Sequence, residues 1–187
     1  MHSGPIHQRT ITVKTFEIDD DTLAIEGNLI DDRLCKTFIY LLSRIVDPKI
    51  VHNITLKVVL SLPNLTINSA YLDMHEVPHE MCRDIHGIEN NLIGISLLKG
   101  FNNNVNRLMG GKNGCLHLYN LLLSMRTAAF QGFFTYCSRV QEDGSLRQVP
   151  FDESVIVNTC HVWSESGPFA QELEKMKKAR RRVGLKN

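Results

Sequence analysis

The sequence has little of what usually marks a function. Of its 187 residues, one is tryptophan and five are cysteine. No two cysteines share a Cys-x-x-Cys spacing, so the zinc-ribbon signature is absent. There is no Walker phosphate loop, no His-Glu-x-x-His, no Gly-x-Ser-x-Gly elbow and no Gly-x-Gly-x-x-Gly. No apolar run approaches the roughly 18 residues that a membrane-spanning helix needs. Met1 to Arg9 carries Gly4, Pro5 and two histidines but no apolar core, so no secretory signal is expected. The cysteines are odd in number and widely spaced. A disulfide framework is therefore not expected, and a reducing cytoplasm is the default location. No pair of carboxylates stands out as an acid–base couple, and Asp19 to Asp21 reads as a solvated turn.

What is present describes an ordinary globular chain. The hydrophobic fraction is 43% and the charged fraction 22%, which excludes wholesale disorder and fibrous classes. The length suits one domain with a real core. The net charge of +1 conceals an asymmetry. Seven basic residues and no acid lie from Lys175 to the end, which leaves the rest of the chain acidic. No aromatic is interleaved with that basic run, which argues against a single-stranded nucleic-acid contact and for a solvated helix end. A protein partner stays open. The expected division is a flexible segment 1–8, one domain over 9–168, and a basic helix or tail over 169–187.

Hydrophobic periodicity supplies the elements. Arg9 to Ile18 and Thr22 to Ile30 alternate about an aspartate-rich turn, as a hairpin does. His52 to Leu62 and Leu65 to Met74 do the same about Pro63-Asn64. Leu34 to Val46 is apolar, and either a short helix or an extended excursion fits it. Pro78 suits the first turn of a short helix through Ile85. Phe101 to Met109 has helical spacing. After Gly110-Gly111-Lys112-Asn113-Gly114, the stretch Cys115 to Val140 is the longest helical candidate, apolar on nearly every face. Ser154 to Trp163 reads as a last strand or extended segment, and Phe169 to Arg182 as a polar helix. Strands first and helices after indicate an α+β fold: an antiparallel sheet of two hairpins packed on helices, with a long buried central helix.

The residues suited to chemistry cluster in three stretches. Gly110 to Leu118 sets Cys115 and His117 where a glycine-rich loop enters the long helix. The positive end of a helix stabilises a thiolate, which serves either a metal or a nucleophile. Gly110, Gly111 and Gly114 would let a bound group approach the backbone. The second stretch, His75 to Cys82, puts His79 and Cys82 three apart, so that in a helix both face one way. The third holds Cys160 and His161, which in a strand point to opposite faces, so at most one joins a given site. Cys137 lies among Phe133, Phe134 and Tyr136 and reads as core.

These residues carry two resemblances. From about Arg9 to Trp163 the chain resembles a bacterial family known only as a domain of unknown function. The shared features are Ile25-Glu26-Gly27 with Leu29 and Asp31, His52 opening the third strand, and Pro78 with Cys82. Leu92-Ile93-Gly94 and Gly100-Phe101 follow, then the Gly-Gly-x-x-Gly-Cys-x-His-Leu motif at Gly110 to Leu118. The Ala128-Ala129-Phe130-Gln131 helix and Thr159-Cys160-His161-x-Trp163 complete the likeness. It implies a fold and a site but no assigned reaction. The order of elements also resembles the scaffold proteins on which iron–sulfur clusters are assembled. That likeness implies a cluster or zinc held by Cys82 and the Cys115/His117 pair. The scaffold's first cysteine has no counterpart, since Val59 to Asp73 contains none.

The expectation is therefore a cytoplasmic protein that binds zinc or an iron–sulfur cluster, scaffold-like and non-enzymatic. Cys82, Cys115 and His117 are the candidate ligands, and His79 or Cys160 would complete the set. One alternative is an enzyme acting on an acyl or thioester substrate, with Cys115 as nucleophile and His117 or His161 as base. Another is an interaction module whose cysteines only pack.

Overall fold

In the computed structural model, residues 4–145, 147 and 156–182 are described, without the side chains of 176–182. The contacts divide the chain into two compact units, 1–149 and 150–187.

The first unit is α+β. Strands β1 (His7–Asp19), β2 (Thr22–Arg33), β5 (Lys49–Ser61) and β6 (Thr66–Glu76) form an antiparallel sheet in the order β1-β2-β5-β6. Both expected hairpins are present, one turning at Asp20-Asp21 and the other at Leu62 to Leu65, where the Leu62–Pro63 bond is cis. Between β2 and β5 the chain makes a separate small hairpin, β3 (Thr37–Ile39) with β4 (Arg44–Val46). Leu34 to Val46 is thus extended, apart from one 3-10 turn at Tyr40–Leu42. Pro78 is followed by a 3-10 turn at Glu80–Ile85 and not by an α-helix. Helix α1 (Phe101–Met109) leads through the glycine loop into α2 (Leu116–Ser138).

Period-2 alternation sorts the sheet into two faces. Leu23, Ile25 and Leu29 of β2, Ile54, Leu56, Val58 and Leu60 of β5, and Ile67, Leu72 and Met74 of β6 are buried. Helix α2 lies across this face, against β1, β2 and β5. Its buried residues are Leu118, Leu121, Leu122, Met125, Ala129, Phe133, Tyr136 and Cys137, the i, i+3, i+4 pattern of one helix face. Leu116 and Phe134 are exposed, so α2 has one core face.

Glycine sets how closely helix and sheet approach. A Cβ on Gly27 would stand 2.6 Å from Met125 Cγ and Sδ. One on Gly132 would fall on Thr15, 2.6 Å from its Cβ and 2.7 Å from its Cγ2. Met125 can swing aside. Thr15 is β-branched and fixed in its strand, so it cannot.

The second unit, described by itself, consists of turns over 156–163 followed by α3 (Pro168–Arg182). The expected strand over Ser154 to Trp163 is not formed in its described part. Asn158 takes a positive φ of 63° and its side chain bonds Glu165, which fits a turn stabilised locally. The basic helix or tail expected over 169–187 falls within α3 up to Arg182, and 183–187 lie outside the described residues.

Gly132→Ala should destabilise the first unit by about 1–3 kcal/mol, the usual cost of overpacking, whereas Gly27→Ala should cost less. Urea unfolding followed by circular dichroism measures both.

Candidate functional site

The alternation that builds the core also buries a carboxylate. Asp31 follows Leu23, Ile25, Gly27 and Leu29 along the inner row of β2 and is only 3% exposed. Strand register puts Arg9 of β1 on one side of it and His52 of β5 on the other. Both are in phase with the core face of their strands. His117 joins from the first turn of α2, directly above the sheet.

Arg9 holds Asp31 with a two-pronged contact, Nε to Oδ1 at 2.6 Å and Nη2 to Oδ2 at 2.8 Å. Such a fork is the strongest common carboxylate partner. His7 Nε2 lies 3.3 Å from Oδ1. Around Oδ2 stand His52 Nδ1 at 3.1 Å and His117 Nε2 at 3.4 Å. The His52 and His117 rings stack, with centroids 3.6 Å apart and planes 27° apart. His52 Nδ1 is buried and has no hydrogen-bond partner despite its closeness to the carboxylate. Behind His117, its other ring nitrogen, Nδ1, is 3.6 Å from Cys115 Sγ.

The charges are arranged accordingly. Burial alone would raise the pKa of Asp31. The Arg9 hydrogen bonds and charge, aided by the two histidines, outweigh that and hold it below the ordinary carboxylate value. Burial depresses His117, with Asp31 opposing. Burial and then the neighbouring His117 depress His52, again against Asp31. Asp31 is therefore ionised and both imidazoles are neutral near pH 7, the protonation state that metal ligation requires.

Asp31, His52 and His117 each offer one ligand atom, and these lie within 4.8 Å of one another. Among the described residues this is the only group of three or more such side chains so placed. Of the residues anticipated from sequence, His117 belongs to it and Cys115 adjoins it. Cys82, half-buried in the 3-10 turn, and His79, which precedes that turn, are in no such group. Cys160 is exposed and belongs to the second unit. With 156–163 in turns, the strand argument for Cys160 and His161 lapses. The glycines pack against α1. A Cβ on Gly114 would stand 2.8 Å from the Met109 carbonyl oxygen, Gly110 presses on Asn106, and Gly111 has a φ of +58°. Their geometry serves the tight turn between helices. Burial pushes the Cys137 thiol up to about 11, in keeping with a core thiol.

Asp31 and His52 enter the sequence reading only as members of the family pattern and Arg9 only as the start of a strand, although a signal for the site was present. A charged residue in phase with the apolar positions of an alternating strand has to be buried and partnered.

A family model described as a protein of unknown function (DUF2889) matches residues 7–131. No curated protein and no solved structure matches the chain.

Two outcomes follow from the cluster. Asp31→Ala should destabilise the protein by about 1–3 kcal/mol, at the low end for a broken buried pair because a third of Arg9 is exposed; denaturant titration measures it. The depressed histidines make the metal-free unfolded chain the better proton acceptor below its ordinary histidine pKa of about 6.5. Stability of chelator-treated protein should therefore fall as pH drops from there through the lower folded values. Denaturation across that range, compared with His52→Phe, checks the sign.

Proposed function

The chain belongs to the DUF2889 family, whose matched span holds every residue of the cluster, and we propose that this cluster binds a divalent transition metal, with zinc the best fit. His52 Nδ1, His117 Nε2 and an Asp31 oxygen are the ligands. The observation that carries this reading is the convergence of the three ligand atoms, with His52 Nδ1 buried and facing only Asp31 Oδ2. Tetrahedral zinc with nitrogen and oxygen ligands sets ligand atoms roughly 3.3–3.5 Å apart. The 3.1 Å and 3.4 Å separations from Asp31 Oδ2 are close to that. Arg9 and His7 would then anchor the carboxylate from its outer side, and Cys115 would orient His117 through Nδ1, as supporting groups do at metal sites. The donor set is nitrogen and oxygen, which suits zinc or ferrous iron better than an iron–sulfur cluster. Three protein ligands leave a position for water or substrate, the pattern of zinc centres that activate water.

One contact supports a second reading. Cys115 stands at the N-cap position of α2, its thiol lies 3.6 Å from His117 Nδ1, and His117 Nε2 faces Asp31. That is the order of a thiol nucleophile, its base and an orienting carboxylate.

Elemental analysis of protein purified without a metal-binding tag separates the two. The metal reading expects near-stoichiometric metal, abolished in His52→Ala and His117→Ala and retained in Cys115→Ser with about 10–100-fold weaker affinity. Metal-free protein whose Cys115 is alkylated far faster than its other thiols, and more slowly in Asp31→Asn, would replace it with the nucleophile reading.

A further inference from the structure

The hairpin between β2 and β5 concentrates exposed apolar surface. Tyr40 is 87% exposed, Leu41 73% and Ile45 69%, with Phe38 and Leu42 about half exposed. These residues lie within ten positions, Phe38 and Tyr40 packing edge to face at 5.2 Å. The two strands pair only with each other, so the hairpin stands apart from the main sheet. Ordinary surfaces scatter their exposed large apolar residues singly, and a contiguous group marks an interaction site.

The charges beside the apolar tip narrow the choice of partner. From Arg33 to Lys49 there are four basic residues, Arg33, Lys36, Arg44 and Lys49, against one acid, Asp47. Lys36, Arg44 and Lys49 are exposed. Lys36 lies 3.5 Å from Asp47, a contact between two well-exposed side chains that leaves the collar cationic. A second copy docking tip to tip would bring like charges together. The tip carries Tyr40, Leu41 and Ile45 outward on a short two-stranded hairpin. An amphipathic tip with aromatic and aliphatic residues leading and Lys/Arg behind is the arrangement that enters a bilayer interface, its cations meeting anionic headgroups.

We propose that the β3–β4 hairpin docks the protein on an anionic lipid surface, inserting Tyr40, Leu41, Leu42 and Ile45 while Lys36, Arg44 and Lys49 contact headgroups. This does not depend on the metal reading. Its consequence for that site is positional. Asp31 and His52 sit at the ends of β2 and β5 from which the hairpin emerges, so docking presents the cluster's end of the sheet to the membrane.

The test is co-sedimentation of the full chain with vesicles of phosphatidylcholine alone or mixed with phosphatidylglycerol. The expected result is pelleting with the anionic vesicles, weakened by salt. The double variant Leu41→Asp/Leu42→Asp, folded by circular dichroism, should lose at least roughly tenfold in partitioning. Lys36→Ser/Arg44→Ser/Lys49→Ser should lose the preference for anionic vesicles. Failure of the wild-type chain to pellet with either vesicle overturns the proposal, as does equal pelleting of the aspartate variant. A wild-type dimer that the aspartate variant dissolves, seen by sedimentation velocity, assigns the hairpin to self-association instead. Metal content is read separately on the same variants and should not change.

Discussion

The bidentate contact between Arg9 and Asp31 is the constraint around which the site is organised. A carboxylate on the core face of a central strand is costly to bury unless it is paired and hydrogen-bonded. Arg9 meets that need from the neighbouring strand at the register position directly opposite. Once Asp31 is held ionised, its second oxygen supports two neutral imidazoles that burial has stripped of their tendency to charge. Stacked histidines 3.6 Å apart would repel if both were protonated. The cluster is thus a mutually consistent set: one fixed negative charge, one fixed positive charge, and two uncharged nitrogen donors.

The fold delivers these groups by two different means. Arg9, Asp31 and His52 form a cross-strand row, so their proximity is a property of sheet register, and a one-residue slip would turn them outward. His117 arrives through helix packing. Its position depends on where α2 starts and how closely it lies on the sheet, which the glycine turn at 110–114 and the contacts at Gly27 and Gly132 determine.

Much of the fold was legible because its signals are local. The two large hairpins and the helices over 101–109 and 116–138 announce themselves by period and by turn residues. The stretch 156–163 misled because Val157, Thr159 and Val162 suggest a strand while side-chain bonds from Asn158 close a turn. The site was half legible. Cys115 and His117 stand out by their glycine-rich setting, and His117 does join the cluster. Asp31 and His52 appeared only as members of a family pattern, because each lies in a different strand and their meeting depends on a long-range pairing. Cysteine spacing drew attention to Cys82 and Cys160, yet the group that assembles contains no sulfur.

The glycine contacts also divide the protein by how freely its sequence can drift. On the helix-covered face, Thr15, Gly27 and Gly132 interlock backbone with side chain, so few replacements fit. The opposite face carries Thr12, Lys14, Glu26, Asn28 and Thr55 along the same strands, where Asn28 donates to Asn53 and Thr55 and Glu26 pairs with Lys57, so replacement there is limited by polar partners and not by close packing. Two neighbouring residues of a single strand therefore answer to different constraints, steric on one face and hydrogen-bonding on the other, and the kinds of replacement tolerated should alternate along β1, β2 and β5.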